Sequence, residues 1–403
     1  MIHHLNRAAG LCLTAALLLT AAGCGQQTVP ESPSPSPVVE TAAADKNDLT
    51  VVRSMELQYA NNFAVDYCAN GCKIITDGAG QKFLWVPEGG EVPDDTGDMT
   101  VLQAPLTKLG CFSTTHATLF HAIGALDKVS LVTTDKDKWH IEQIAQQIED
   151  GTTTYVGKNS APDYELISAA APQIILISAN TMHGSDEVLA KLDELGIPYI
   201  ADSQHLENHP LGRVEWVKLV GALLDMEEEA DAYFDEEVQR VNAVAESVAG
   251  ESDCTVTLDD ARDEQVVLFS YPVVTDYLSI EISSVNKMLE LAGGTYPFAE
   301  LEPGQGGNTK MTVEEFYQGA VDAEILIYDN TSDVSVSTVA DILANGDYLA
   351  DMKAIQEGNV WGIQKNYWQS ADDVATMIED IATIIYHPED ADQLHYFYKL
   401  PAE

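Results

Sequence analysis

Apolar residues recur at helical spacing through residues 210–250, PLGRVEWVKLVGALLDMEEEADAYFDEEVQRVNAVAESVAG, with no proline after the first position. Val214, Val217, Leu219, Val220, Leu223 and Leu224 keep one side apolar. Asp225 interrupts the stripe with N-cap chemistry. Glu227, Glu228 and Glu229 follow, where a helix N-terminus favours negative charge. The pattern predicts two helices back to back, the second stopping at Gly250 and reaching about 35 Å. Strand and helix patterns alternate on both sides of this stretch, which makes it a strut between two α/β halves.

Before the strut, residues 49–105 read as a β-ribbon: LTVVRSM, FAVDYC, CKIITD and KFLWVP, separated by Gly, Asn and Asp turns. From residue 108 the texture changes. KLGCF is a strand running into STTH, and residues 117–123 are helical. A strand follows at 129–132 and a helix at 164–171. QIILIS at 173–178 is a continuous apolar run of the kind buried in a parallel sheet. Helix 186–195 and strand 198–201 complete the first half. The second half restarts with TVTL, VVLFSY, a helix ending in LAGG, EILIY and VWGI, and closes with a long helix at 371–386.

The first 23 residues stand apart. Arg7 and an uncharged apolar run ending in small residues make a secretory signal, too short for a membrane span. Ala21-Ala22-Gly23-Cys24 resembles a bacterial lipoprotein signal, in which Cys24 is lipidated and tethers the chain to the outer face of the cytoplasmic membrane. Residues 24–46 are rich in Pro, Ser, Thr and Ala and form an extended tether. The remainder divides into a first lobe with the ribbon at 47–208, the strut at 209–250 and a second lobe at 251–403. An apolar fraction of 45% permits two cores. A net charge of -45 repels nucleic acid and anionic lipid headgroups. Cys68 and Cys72 flank a turn signal between two hairpin strands. In an exported chain that makes them a disulfide candidate.

Several pieces of residues 105–390 resemble the solute-binding lipoproteins of bacterial ABC importers, in the group that binds ferric siderophores, haem and cobalamin. They are YELISAAAPQIILIS, HPLGRVEWVKLVGALLDMEEEADAYF, LAGGTYPF, MTVEEF, VWGIQKNYWQSADD and IIYHPED. The resemblance implies two Rossmann-like lobes joined by a rigid helix, with an iron(III) chelate or tetrapyrrole held between them. It also implies a monomer without intrinsic cofactor that delivers its ligand to a permease and its ATPase. One glutamate per lobe would dock on the permease, and Glu165 and Glu314 stand at the matching positions, with Glu315 as neighbour to the second.

Ligands of open α/β sheets sit beyond the carboxyl ends of strands. Here those ends carry Thr114, Thr115 and His116, then His183, Tyr271, and the pair Tyr367 and Trp368. Hydroxyls and imidazoles suit a chelate, and aromatic rings suit a flat or macrocyclic body. His116, directly after a buried strand, is the first expectation. Arg213 reads as a brace of the strut. Two rivals remain open: direct capture of zinc or manganese by His116, His183 and His205, and an exported α/β enzyme. No G-x-S-x-G, H-E-x-x-H or P-loop motif supports the enzyme.

Overall fold

The computed structural model describes residues 45–178, 185–250, 266–270, 277–281, 283–301, 308–329, 336–345 and 347–403. Its first strands are β1 (Val51–Ser54), β2 (Ala64–Cys68), β3 (Lys73–Thr76), β4 (Lys82–Val86) and β5 (Thr100–Gln103). The expected ribbon is a five-stranded sheet in that order, antiparallel up to β4 and parallel between β4 and β5. It packs on the strut. The Trp85 indole donates to the Leu223 carbonyl at 2.9 Å, and the Lys73 ammonium lies 4.0 Å from the Trp85 ring centroid.

The second sheet is wholly parallel. It is built from β6 (Leu109–Cys111), α1 (Thr114–Ala122), β7 (Val129–Val132), α2 (Glu142–Asp150) and β8 (Thr154–Tyr155). A short hairpin, β9 (Gly157–Lys158) and β10 (Ala161–Pro162), precedes α3 (Tyr164–Ala170), β11 (Ile174–Ser178), α4 (Ser185–Leu195) and β12 (Tyr199–Asp202). The strand order is β12-β11-β6-β7-β8. QIILIS is β11, with Ile174, Ile175, Leu176 and Ile177 all buried because helices cover both faces. Gly110 of β6 is required by packing, since a Cβ there would meet Leu131 at 2.7 Å and Ile175 at 2.9 Å.

The strut comprises α5 (Pro210–Glu215), α6 (Val217–Leu224) and α7 (Glu227–Gly250). Asp225 does not cap α7 as its sequence context suggests. It terminates α6 in the left-handed conformation, φ 59°, and its amide donates to the Gly221 carbonyl. Along α7 the residues Ala230, Phe234, Glu237, Val241 and Val244 form one buried seam. One of the five is a carboxylate.

The third sheet carries β13 (Val266–Ser270), β14 (Tyr277–Glu281), α8 (Ser283–Leu291), β15 (Asn308–Thr312), α9 (Val313–Ala320) and β16 (Ile325–Asp329). It ends with α10 (Val339–Asn345), α11 (Lys353–Glu357), β17 (Val360–Ile363), α12 (Val374–Tyr386) and β18 (Phe397–Lys399). Its order is β15-β14-β13-β16-β17-β18, a parallel centre of β13, β16 and β17 flanked by antiparallel strands. The chain is therefore α/β with two lobes about a helical strut. Among the described residues one large core spans both lobes, running from Phe63 and Trp85 through Trp216 and Phe234 to Ile381 and Ile385. A smaller cluster covers the other face of the second sheet.

The disulfide expected between Cys68 and Cys72 is not formed. Both are free thiols buried with Leu84 and Val86, and burial pushes each above the ordinary thiol range. The turn between them is held by its backbone and by Asn70, whose side-chain oxygen accepts from the Cys72 amide at 3.0 Å.

Candidate functional site

A cavity of about 650 Å³ opens between the lobes against α7. A second, of about 610 Å³, adjoins it through the shared lining residues His140 and Asn366. Residues 140–143 span the end of the β7–α2 connection and the start of α2, and residues 364–373 follow the carboxyl end of β17. This is where open α/β sheets place ligands. The first lobe contributes His121 and the segment beginning at His140. The second contributes Asn366, Gln369, Asp372, Asp373 and Tyr396, and α7 contributes Tyr233, Glu236, Glu237 and Arg240.

The lobes touch across this space through named bonds. The His140 amide donates to Gln369 Oε1 at 2.8 Å, and Gln369 Nε2 donates back to the Lys138 carbonyl at 2.7 Å. His121 Nδ1, on the last turn of α1, lies 3.2 Å from Asp372 Oδ2. That hydrogen bond raises the imidazole above its ordinary pKa, while burial pushes the Asp372 carboxyl up.

Arg240 forms the hub of the α7 wall. Its Nε and Nη2 reach Glu379 at 3.3 and 2.9 Å, and Nη1 reaches Glu237 at 3.0 Å and Asp373 at 3.1 Å. Nη2 also donates to Thr376 Oγ1 at 2.6 Å. All five guanidinium N–H groups are thus engaged within the protein. Glu237 Oε2 accepts from the Ala375 amide at 2.9 Å, and burial raises its pKa to about 7. Tyr396 donates to Asp373 Oδ2 at 2.7 Å, and the Tyr233 hydroxyl donates to the Asp372 carbonyl at 3.2 Å. The wall offers carboxylate acceptors held in place by these bonds.

Several residues expected at the site lie elsewhere. His116 is fully buried. Its Nε2 lies 3.1 Å from Ser178 Oγ, and burial pushes its pKa down against the pull of Asp202. It lines neither cavity. Thr114 and Thr115 are half-buried in the first turn of α1, where Ser113 caps the Thr115 amide. Tyr367 is buried, with Trp368 edge-on at 5.0 Å and Phe397 at 5.6 Å. Both rings pack, and their neighbours Asn366 and Gln369 line the cavity instead. Cys24, His183 and Tyr271 lie outside the described residues. Among the described residues, no group of three or more His, Cys, Asp or Glu side chains is placed to hold a metal ion.

Sequence reasoning passed over His121, His140, Glu237, Arg240 and Asp372. Two signals pointed to Glu237 and Arg240: a carboxylate inside the apolar seam of α7, and a single basic residue in that acidic helix. The exposed glutamates divide more clearly. Glu165 is exposed in the first turn of α3 and Glu314 in that of α9. Glu315 is engaged in a capping box with Thr312, whereas Glu314 accepts from Gln318 Nε2 at 3.2 Å on the helix surface.

Residues 111–367 match the periplasmic binding protein family. The chain belongs to that family. Its members are extracytoplasmic solute-binding components of ABC importers and not enzymes. This periplasmic binding protein is 29% identical over 359 residues to the uncharacterized lipoprotein MJ0878 of Methanocaldococcus jannaschii, covering 82% of this chain and 79% of the relative. Among solved structures it resembles the periplasmic haem-binding protein HutB of Vibrio cholerae, with TM-score 0.55 and 14% identity over 70% of this chain and 100% of that one. The petrobactin-binding protein YclQ of Bacillus subtilis gives TM-score 0.54 and 14% identity over 77% and 96%. At these identities the likeness establishes the fold. No helix among the described residues is long and apolar enough to cross a membrane.

Proposed function

We propose that this binding protein captures a metal chelate, an iron(III) complex or a tetrapyrrole, between its lobes and hands it to an ABC permease from a lipid anchor at Cys24. The observation that carries the reading is the pair of adjoining cavities at the β7–α2 connection and the carboxyl end of β17. They suit a body larger than a bare ion, and structural neighbours include haem- and petrobactin-binding proteins. Cobalamin is the second reading, because a macrocycle fits the same space. Glu165 and Glu314, exposed one per lobe, are proposed to orient the protein on the permease, where charge pairs govern on-rate more than affinity.

One experiment on the full chain tests both halves. A panel of iron(III) siderophores, haem and cobalamin is titrated by calorimetry, followed by uptake in cells carrying the cognate importer. One-to-one binding without turnover is expected. The double variant Glu165→Ala/Glu314→Ala should keep ligand affinity while uptake falls severalfold. Stoichiometric zinc with no chelate binding, or normal uptake by the double variant, would each remove its half of the reading.

A further inference from the structure

Five carboxylates, Glu142, Glu236, Glu237, Asp372 and Asp373, line the interlobe cavity alongside one arginine. That arginine has no donor left for a ligand, because Glu237, Asp373, Glu379 and Thr376 engage its five N–H groups. Among the described residues the adjoining cavity adds a single lysine or arginine, the exposed Lys365. Glu237 and Asp373 are paired with Arg240, and Asp372 with His121, so a bound polyanion would face chiefly Glu142 and Glu236, with Lys365 to offset them. The chain as a whole, at -45, adds a field of the same sign.

Resting on the chelate-binding reading above, we infer that the solute has zero or positive net charge. It presents amide, hydroxyl or ammonium donors to the carboxylates, and is neither a catecholate-type polyanion nor a porphyrin bearing carboxylates. Two sources share this chemistry: a hydroxamate chelate with amide and ammonium groups, and a corrinoid rimmed with carboxamides. Glu142 and Glu236 are the exposed acids of the cavity and make no hydrogen bond or ion pair among the described residues, so they are free to meet such donors.

The test uses matched probes on the full chain: a linear iron(III) trihydroxamate ending in an ammonium, its neutral N-acetylated form, a corrinoid, a trianionic iron(III) tris-catecholate, and haem. Either trihydroxamate or the corrinoid should bind at least about tenfold more tightly than the trianion or haem at low salt. If the ammonium form binds, its advantage over the acetylated form should shrink as salt rises. Glu142→Gln with Glu236→Gln should weaken the ammonium form about fivefold and the acetylated form, which keeps only neutral donors, by less. Equal or tighter binding of the trianion or haem overturns the charge inference and leaves the chelate reading standing. Unchanged binding of both trihydroxamates in the double variant overturns it as well. Binding of no chelate of any charge removes the chelate reading, and the inference with it.

Discussion

His116 and His121 stand on the same short helix, α1, and serve different regions. His116, in the first turn, faces Ser178 at the end of β11 and is completely enclosed. His121, in the last turn, crosses to Asp372 of the other lobe and borders the cavity. The carboxylates divide in the same way. Glu215 is fully buried and accepts from the backbone amides of Gln58, Tyr59 and Ala60, all at 2.8 Å, which fastens the chain beside the first sheet to α5. Glu207 does the same for Asn61 and Asn62. Glu236 and Glu142 face open space. The two regions use the same residue types, and only the presence of a cavity separates ligand chemistry from internal fastening.

The largest expected effect comes from the fastening region. Glu215→Ala leaves three backbone N–H groups without their acceptor and strips Lys218 of a partner 3.4 Å away. Stability in urea should fall by about 3 kcal/mol or more, with ligand affinity per folded molecule unchanged. A loss below about 1 kcal/mol would mean that solvent reaches those amides. His116→Ala comes next. It removes a buried ring and leaves Ser178 without that bond, so about 2 kcal/mol of stability should be lost. The dissociation constant of the chelate should stay within about twofold. Tenfold weaker binding at normal stability would reverse the assignment and return His116 to the site.

Much of the framework was legible. QIILIS, EILIY and VWGI became β11, β16 and β17 because runs apolar on both faces have few alternatives to the middle of a covered sheet. The acidic first turns at Glu165 and Glu314 were equally clear. The site was not, because it is assembled from α1, α2, α7 and the segment after β17, which are distant in sequence. The strand-end rule pointed to His116, which the structure encloses against Ser178 and away from both cavities. Asp225 misled for a related reason: aspartate serves an N-cap and a left-handed helix end with similar ease. Glu237 could have been noticed, since a carboxylate in an apolar seam needs a partner.

The smallest effect concerns the bridge between the lobes. His121 Nδ1 and Asp372 Oδ2, 3.2 Å apart, join α1 to the segment that leads into α12. The bond raises the folded-state pKa of His121 above its unfolded value. A group shifted that way contributes stability that is fully present below the unfolded histidine value, near 6.5, and is lost as pH rises through the raised folded value. Burial pushes Asp372 up, which trims the low-pH end of the window as that carboxyl begins to protonate. The His121 side chain is 55% exposed, so solvent screening keeps its contribution below about 1 kcal/mol. His121→Gln can still hydrogen-bond to Asp372 but cannot titrate. The stability difference between wild type and His121→Gln should therefore be larger at pH 6 than at pH 9. The fluorescence of Trp139, near the His140 crossing, offers an independent view of the lobe contact. A difference independent of pH would show that the bridge acts as a neutral hydrogen bond, and the cavity wall would then carry one positive charge fewer at acidic pH.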